Sequence, residues 1–226
     1  MAQGFSRAGD GTAGEAVPRS GILTPSVPQD IGAQSQRRRI LEAMATSCTE
    51  RTFSATTIAD IVSHASISRG TFYKHFTNKQ DCFYAASDAF LLELQAAATI
   101  ASARSGDLPV ETIRDVIAAV LEALADNQEH ARLLLVEAPL VDPEIVRRYR
   151  TSVMAALEEQ MRAGEFAGKA QASPEIAFGR AKVLIADCLA AGQVDRLRNL
   201  LPELLYIALL PYAGHETALA QAQASR

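Results

Sequence analysis

The chain has 226 residues, 48% of them hydrophobic, with a formal net charge of −4. That length allows one domain or two small ones with a real core, and the composition fits an all-helical globular protein. Several classes are excluded. No apolar run approaches the roughly 18–20 residues that span a bilayer, and the N-terminus lacks the apolar stretch of a secretory signal. The three cysteines, Cys48, Cys82 and Cys188, are widely spaced and form no zinc pattern with the four histidines. They are read as buried structural thiols in a reducing cytoplasm, with a redox-sensing pair as the alternative.

Residues 1–33 carry Gly4, Gly9, Gly11, Gly14, Pro18, Gly21, Pro25 and Pro28 among Ser and Thr, with almost no large apolar residues. This composition predicts a disordered tail. Gly9, Gly11 and Gly14 spell G-x-G-x-x-G, which holds a dinucleotide only between a strand and a helix. Neither flanks it, so no cofactor is expected. A first helix is predicted from about Ala33 to Ser47, with Ile40, Leu41 and Met44 inward. Arg37, Arg38 and Arg39 cluster at its start, either as a solvated face or as contacts to backbone phosphates. Phe53 is expected to plug the turn that follows.

Residues 56–76 read TTIADIVSHASISRGTFYKHF. Ile58, Ile61, Val62 and Ala65 recur at helical spacing, and Thr56 and Thr57 stand where an N-cap belongs. Ile67 is a lone apolar plug before Ser68 opens a second helix, which Phe72 and Phe76 pin to the first. Arg69, Thr71, Tyr73, Lys74 and His75 are left pointing elsewhere, as on a helix made to enter a major groove. The plain alternative is a helical hairpin within a bundle. Charge favours the groove. Residues 34–80 hold seven Lys/Arg against three Asp/Glu, whereas residues 81–226 hold 13 against 20.

The run Thr56, Thr57, Ile58, Ile61, Ala65, Ile67, Ser68, Gly70, Thr71, Phe72, Tyr73, His75, Phe76, Asn78, Lys79 resembles the helix-turn-helix of TetR/AcrR-family transcriptional regulators. Two positions depart. Val62 replaces a small alanine, and Ser66 replaces the turn glycine, where positive φ costs a non-Gly residue about 1 kcal/mol. The match covers about residues 35–85. Across the helix-turn-helix, Arg69, Thr71, Tyr73 and Lys74 are expected to read bases. Thr56, Thr57, His75 and Lys79 are expected mainly to hold phosphates, with Ser68, Gly70, Arg37 and Arg38 also in the interface.

Thr77 to Gln80 has capping-box spacing for a fourth helix, expected to reach about Ala101 with Phe83, Phe90 and Leu94 on one stripe and Leu91 and Leu92 beside it. Asp107-Leu108-Pro109 starts a fifth, which keeps helical period through Leu121 and Leu124 to Asn127. A short helix over 129–137 is expected to end at Pro139. Asp142-Pro143-Glu144 opens a helix over roughly 142–163, and Ser173-Pro174-Glu175 opens one to Ala191. A last helix through Leu200, Leu201, Leu204, Leu205 and Ala208 is expected to stop at Pro211.

The expected architecture is all-α: a tail (1–33), a helix-turn-helix domain (34–80) and a helical bundle for ligand binding and dimerisation (81–226). The resemblance implies a homodimer on a pseudo-palindromic double-stranded DNA operator, and repression relieved by a small hydrophobic molecule. Candidate pocket residues are Phe90, Leu94, Leu121, Leu124, Glu137 and Tyr149. Ala177, Ala181, Leu184 and Cys188 form a small-residue stripe that, with Leu201, Leu204 and Leu205, is expected to pack against a second subunit. The competing reading is an ordinary intramolecular stripe. The alternatives are a DNA-binding regulator without a small-molecule ligand and, as a different class, an enzyme built on a helical bundle. No nucleophile, metal or di-iron motif accompanies it, and the buried-carboxylate candidates Asp187 and Glu137 are read as arginine partners or pocket groups. Neither catalytic residues, metal nor membrane is expected.

Overall fold

A computed structural model describes residues 29–106, 108–162 and 173–225. Its helices are α1 (Gln29–Arg51), α2 (Ile58–His64), α3 (Arg69–His75), α4 (Lys79–Arg104), α5 (Pro109–Asp126), α6 (Gln128–Arg132), α7 (Ala138–Val141), α8 (Pro143–Arg162), α9 (Pro174–Ala190), α10 (Val194–Arg198) and α11 (Leu201–Ala224), with one π-helical turn, Leu133–Glu137, between α6 and α7. The fold is all-α. Among the described residues there is no strand, and no helix is long and apolar enough to cross a membrane.

Helix α1 begins earlier than the sequence suggested, at Gln29. Residues 1–28, with the G-x-G-x-x-G run, lie outside the described residues. Ile40, Met44 and Ala45 of α1 are fully buried against Ile61 of α2 and Phe72 of α3. Helix α4 extends from this three-helix head into the bundle. Its Cys82, Phe83 and Ala86 share a core with α1, and Phe90 and Leu94 continue that core among α5, α6 and the π-helical turn. One contiguous apolar cluster therefore runs from Ile40 to Leu204. Leu92, expected beside the buried stripe, is 65% exposed because it projects from the opposite side of α4.

Three helix ends differ from expectation. Asn78, not Thr77, caps α4: its Oδ1 accepts from Asp81 N at 2.8 Å, while the Asp81 carboxylate accepts from Thr77 N and Thr77 Oγ1 at 2.8 and 3.0 Å. The helical run does not stop at Pro139. The preceding π-helical turn shifts pairing so that Ala138 N donates to Leu133 O, five residues back, and the chain stays helical to Val141 despite the missing proline N–H. Nor does α11 end at Pro211. It passes that residue, breaks at Gly214 (φ 75°) and resumes to Ala224. The three cysteines are free and buried. Burial pushes the Cys48 thiol up to about 11 and raises Cys82 further.

Candidate nucleic-acid interface and ligand cavity

The head is assembled around α3. Thr57 caps α2 through a capping box: its Oγ1 accepts from Asp60 N at 3.3 Å, and Thr57 N donates to Asp60 Oδ2 at 2.8 Å. The Thr57 hydroxyl and backbone N–H hold the Asp60 carboxyl below its usual range. The turn after α2 carries Ser66 at φ 52°, the left-handed conformation expected where the sequence has serine for glycine. Ser68 then caps α3, accepting from Thr71 N at 3.0 Å. Phe72 and Phe76 are buried beneath α3, with ring centroids 5.8 Å apart. Arg69, Gly70, Tyr73 and Lys74 remain on the solvent side, Tyr73 being 56% exposed, while Thr71 is half-buried.

Several expected DNA contacts are instead structural. Thr56 is 2% exposed, and its hydroxyl lies 2.7 Å from Thr52 O and 3.1 Å from Ser47 O, so it joins α1 to the following loop and cannot meet a phosphate. Lys79 is likewise committed. Its Nζ donates to Phe53 O and Thr56 O at 2.7 and 2.8 Å, reaches Ser54 O at 3.5 Å, and stands 4.3 Å from the centre of the Phe53 ring. An ammonium has three donors, and all three face loop carbonyls. His75 is half-buried beside α1, with Nε2 3.5 Å from Gln36 Oε1. Arg37 lies over the Phe76 ring at 5.2 Å and Arg38 pairs with Glu42 at 3.6 Å, both exposed, and Arg39 is exposed beside them.

The loop that Lys79 gathers is tied to the bundle as well. Thr52 takes φ 75°, a costly conformation for a β-branched residue. Next to it, Phe53 N donates to Glu137 Oε2 at 2.9 Å, and the Phe53 ring packs 4.5 Å from Phe83. Glu137, expected to pair with an arginine or to line a pocket, does neither. It is a buried acceptor for the loop, 8% exposed. Asp187, the other carboxylate candidate, is exposed on α9.

Within the bundle a cavity of about 790 Å³ lies among α4, α5, α8, α9 and α11. Leu94, Leu121 and Tyr149 line it, as do Leu91, Ile117, Met154, Phe178, Lys182, Ile185 and Ala208. Phe90, Leu124 and Glu137 do not. Phe90 packs on His130 at 5.6 Å, and Leu124 is sealed in the core. Tyr149 stacks on Phe178 at 5.7 Å, and burial pushes its hydroxyl up to about 12. Sequence reasoning missed the α9 contribution because small residues have two meanings. Ala177 and Ala181 were read as permitting close approach of a second helix, yet they leave the empty space that the cavity occupies.

The expected dimer stripe also turns inward. Cys188, Leu204 and Leu205 are buried in the protomer's own core, and Leu184 and Leu201 pack against it. The outward face of α9 is a different one, with Ile176 71% and Val183 54% exposed and Gly179, Arg180 and Asp187 beside them.

Residues 40–86, the segment that builds α2, α3 and their supports, match the family model of bacterial regulatory proteins of the tetR family. The chain carries a TetR-family domain. An HTH-type transcriptional regulator of Bacillus subtilis (strain 168), YerO, itself uncharacterized, is 27% identical over 115 residues, which is 50% of this chain and 40% of that relative. The chain thus matches less than half the length of that relative. Among solved structures, the fatty acid degradation regulator FadR from Bacillus halodurans superposes with a TM-score of 0.68 at 16% identity, over 80% of this chain and 96% of that one. The transcriptional regulator FadR from Bacillus subtilis, solved in complex with stearoyl-CoA, gives 0.63 at 16% identity, over 78% and 98%. At such identities the likeness shows the fold alone, the helical head and the bundle together.

Proposed function

We propose that this TetR-family chain is a sequence-specific DNA-binding transcriptional regulator. In this reading it works as a homodimer and represses until a small apolar ligand enters the bundle cavity. Residues 34–80 form the reading head, and residues 81–226 form the ligand and dimer domain. The observation that carries the reading is α3: a short helix held from beneath by Phe72 and Phe76, with Arg69, Gly70, Tyr73 and Lys74 free. Gly70 strengthens it. A Cβ there would meet only Ser68 Oγ, at an ordinary 3.6 Å, so nothing in the protein requires glycine inside a helix. Glycine costs about 1 kcal/mol there relative to alanine, and its bare backbone suits close approach by a partner's surface.

Arg69, Thr71, Tyr73 and Lys74 are the proposed base readers. Thr57, Ser68, Arg37 and Arg38 are proposed to hold backbone phosphates, which position the head without reading sequence. One short helix reads few base pairs, so a second head on a pseudo-palindromic site, about 34–36 Å away or more, supplies the remaining specificity. The outward face of α9, with Ile176 and Val183, replaces the inward stripe as the proposed dimer surface. Helix α4 couples the two functions, because Leu94 lines the cavity while Lys79, at the other end of the same helix, gathers the loop beneath the head. The bound stearoyl-CoA of the Bacillus subtilis relative supports an acyl-sized ligand for a bundle of this shape.

The test is retention of random duplex DNA by the purified full chain, followed by sequencing. A two-fold-related motif is expected, and Arg69→Ala should cost about 1–3 kcal/mol at particular base pairs. Absence of any enriched motif, or equal weakening of every sequence by Arg69→Ala, would falsify the assignment.

A further inference from the structure

The cavity walls are almost wholly apolar. Among the described residues, the lining side chains that are polar are Gln95, Thr99, Ser102, Tyr149 and Lys182. Thr99 Oγ1 already donates to Gln95 O at 2.8 Å. Among the described residues, Lys182 carries the only formal charge on the wall, no Asp or Glu lines the cavity, and Lys182 has neither an ion pair nor a hydrogen bond. It stands one helical turn beyond Phe178 and next to Ala181, on the face of α9 turned to the cavity.

An empty or water-filled cavity leaves this ammonium hydrated. Lys182 is half-buried, so a molecule that fills the space beside it removes part of that water, and a partly desolvated charge without a counter-ion is unfavourable. A neutral apolar ligand therefore meets a penalty at Lys182, and a cationic one meets repulsion as well. An anion relieves both. The volume, about 790 Å³, lies in the upper part of the range for a single small-molecule site, so the anion must sit on a substantial apolar body. We propose that the cavity takes an amphiphile with a long apolar body and a terminal carboxylate, its body against Leu94, Ile117 and Met154 and its carboxylate at Lys182. Tyr149 of α8, whose phenol stays protonated, supplies a second donor among the lining residues. This inference rests on the cavity being the ligand site.

The experiment is titration calorimetry of the full chain with three probes of equal chain length: dodecanoate, dodecan-1-ol and dodecyltrimethylammonium, each below its aggregation threshold. Dodecanoate should bind about 10- to 100-fold more tightly than the alcohol, the range of a hydrogen bond to a charged group. The ammonium should bind more weakly than either. Lys182→Met should abolish the preference, weakening dodecanoate and tightening the alcohol, which no longer meets a lone charge, and Lys182→Arg should keep the preference. Octanoate should lose about fourfold per missing methylene. Equal binding of dodecanoate and dodecan-1-ol by the wild-type chain overturns the proposal without recourse to any variant. So does a preference that survives Lys182→Met, or failure of all three probes to bind. DNA retention is scored separately: enriched DNA with no carboxylate preference defeats this inference alone, and the preference without enriched DNA defeats the regulator reading alone.

Discussion

Replacing Lys79 with methionine separates two roles that a lysine at the start of a helix can play. Methionine keeps an unbranched apolar stem against the Phe53 ring and removes only the ammonium. Two short donations are lost, to Phe53 O and Thr56 O at 2.7 and 2.8 Å, with a longer one to Ser54 O. Hydrogen bonds from a charged donor contribute about 1.5–3 kcal/mol each when isolated. These share one donor group that is only half-buried, so water replaces part of what is lost, and a net cost of about 2–3 kcal/mol is expected. For a chain of this size that lowers the melting temperature by roughly 4–12 °C. DNA affinity, measured well below both melting temperatures over a range of salt, should keep its slope of log K against log salt. A phosphate-holding lysine predicts the reverse: unchanged melting and a slope smaller by about one. That second pattern would show that the ammonium leaves the loop carbonyls for DNA.

Gly70→Ala should raise stability by about 0.5–1 kcal/mol, since the added Cβ has room and the helix gains propensity, yet weaken operator binding; unchanged affinity would remove glycine from the interface. Glu137→Ala should lower stability by about 1.5–3 kcal/mol by orphaning Phe53 N, with Glu137→Gln losing less because an acceptor remains; equal melting temperatures for all three forms would mean that the contact carries no weight. Cys48, raised to about 11, should resist a thiol reagent in the native state at pH 8 and react once denaturant is added. The fold favours its protonated form, so this contribution is fully present below pH 9 and fades as pH climbs through about 11. Rapid modification of the native protein would contradict that burial.

The head was legible because its signals are local. Thr57 with Asp60, Ser68 with Thr71 and the Phe72–Phe76 spacing each act within one helical turn, and each closes as the spacing implies. Residues whose partners are far along the chain were not legible. Thr56 finds Ser47, Lys79 finds Phe53 from 26 positions away, and Glu137 finds the same residue from 84 away. From composition alone, a threonine and a lysine beside a recognition helix look like phosphate ligands, because the same donors that suit phosphate suit orphan loop carbonyls. The bundle was legible as helices but not as faces. Alanines at 177 and 181 permit either close packing or open space, and only the placement of Phe178 and Tyr149 around them decides for the cavity. Prolines misled in proportion to their context: Pro109, Pro143 and Pro174 sit at helix starts, whereas Pro139 follows a π-helical turn and Pro211 stays within α11.

These corrections bear on how cavity and head communicate. The loop between α1 and α2 is clasped from two sides: Lys79 of α4 holds its carbonyls, and Glu137 holds Phe53 N. Both clasps belong to elements that also touch the cavity, since Leu94 of α4 and Leu135 of the π-helical turn line it. Thr52, at positive φ, stands where the two clasps meet. A ligand that displaces either wall acts on this loop, and the loop sets where α2 and α3 begin relative to α1. If occupancy of the cavity and the DNA-competent placement of α3 are coupled in this way, the coupling is reciprocal, typically 5- to 150-fold. Operator DNA must then weaken ligand binding by the factor with which ligand weakens operator binding. A compound that binds equally well with and without saturating operator fills the cavity without working the switch.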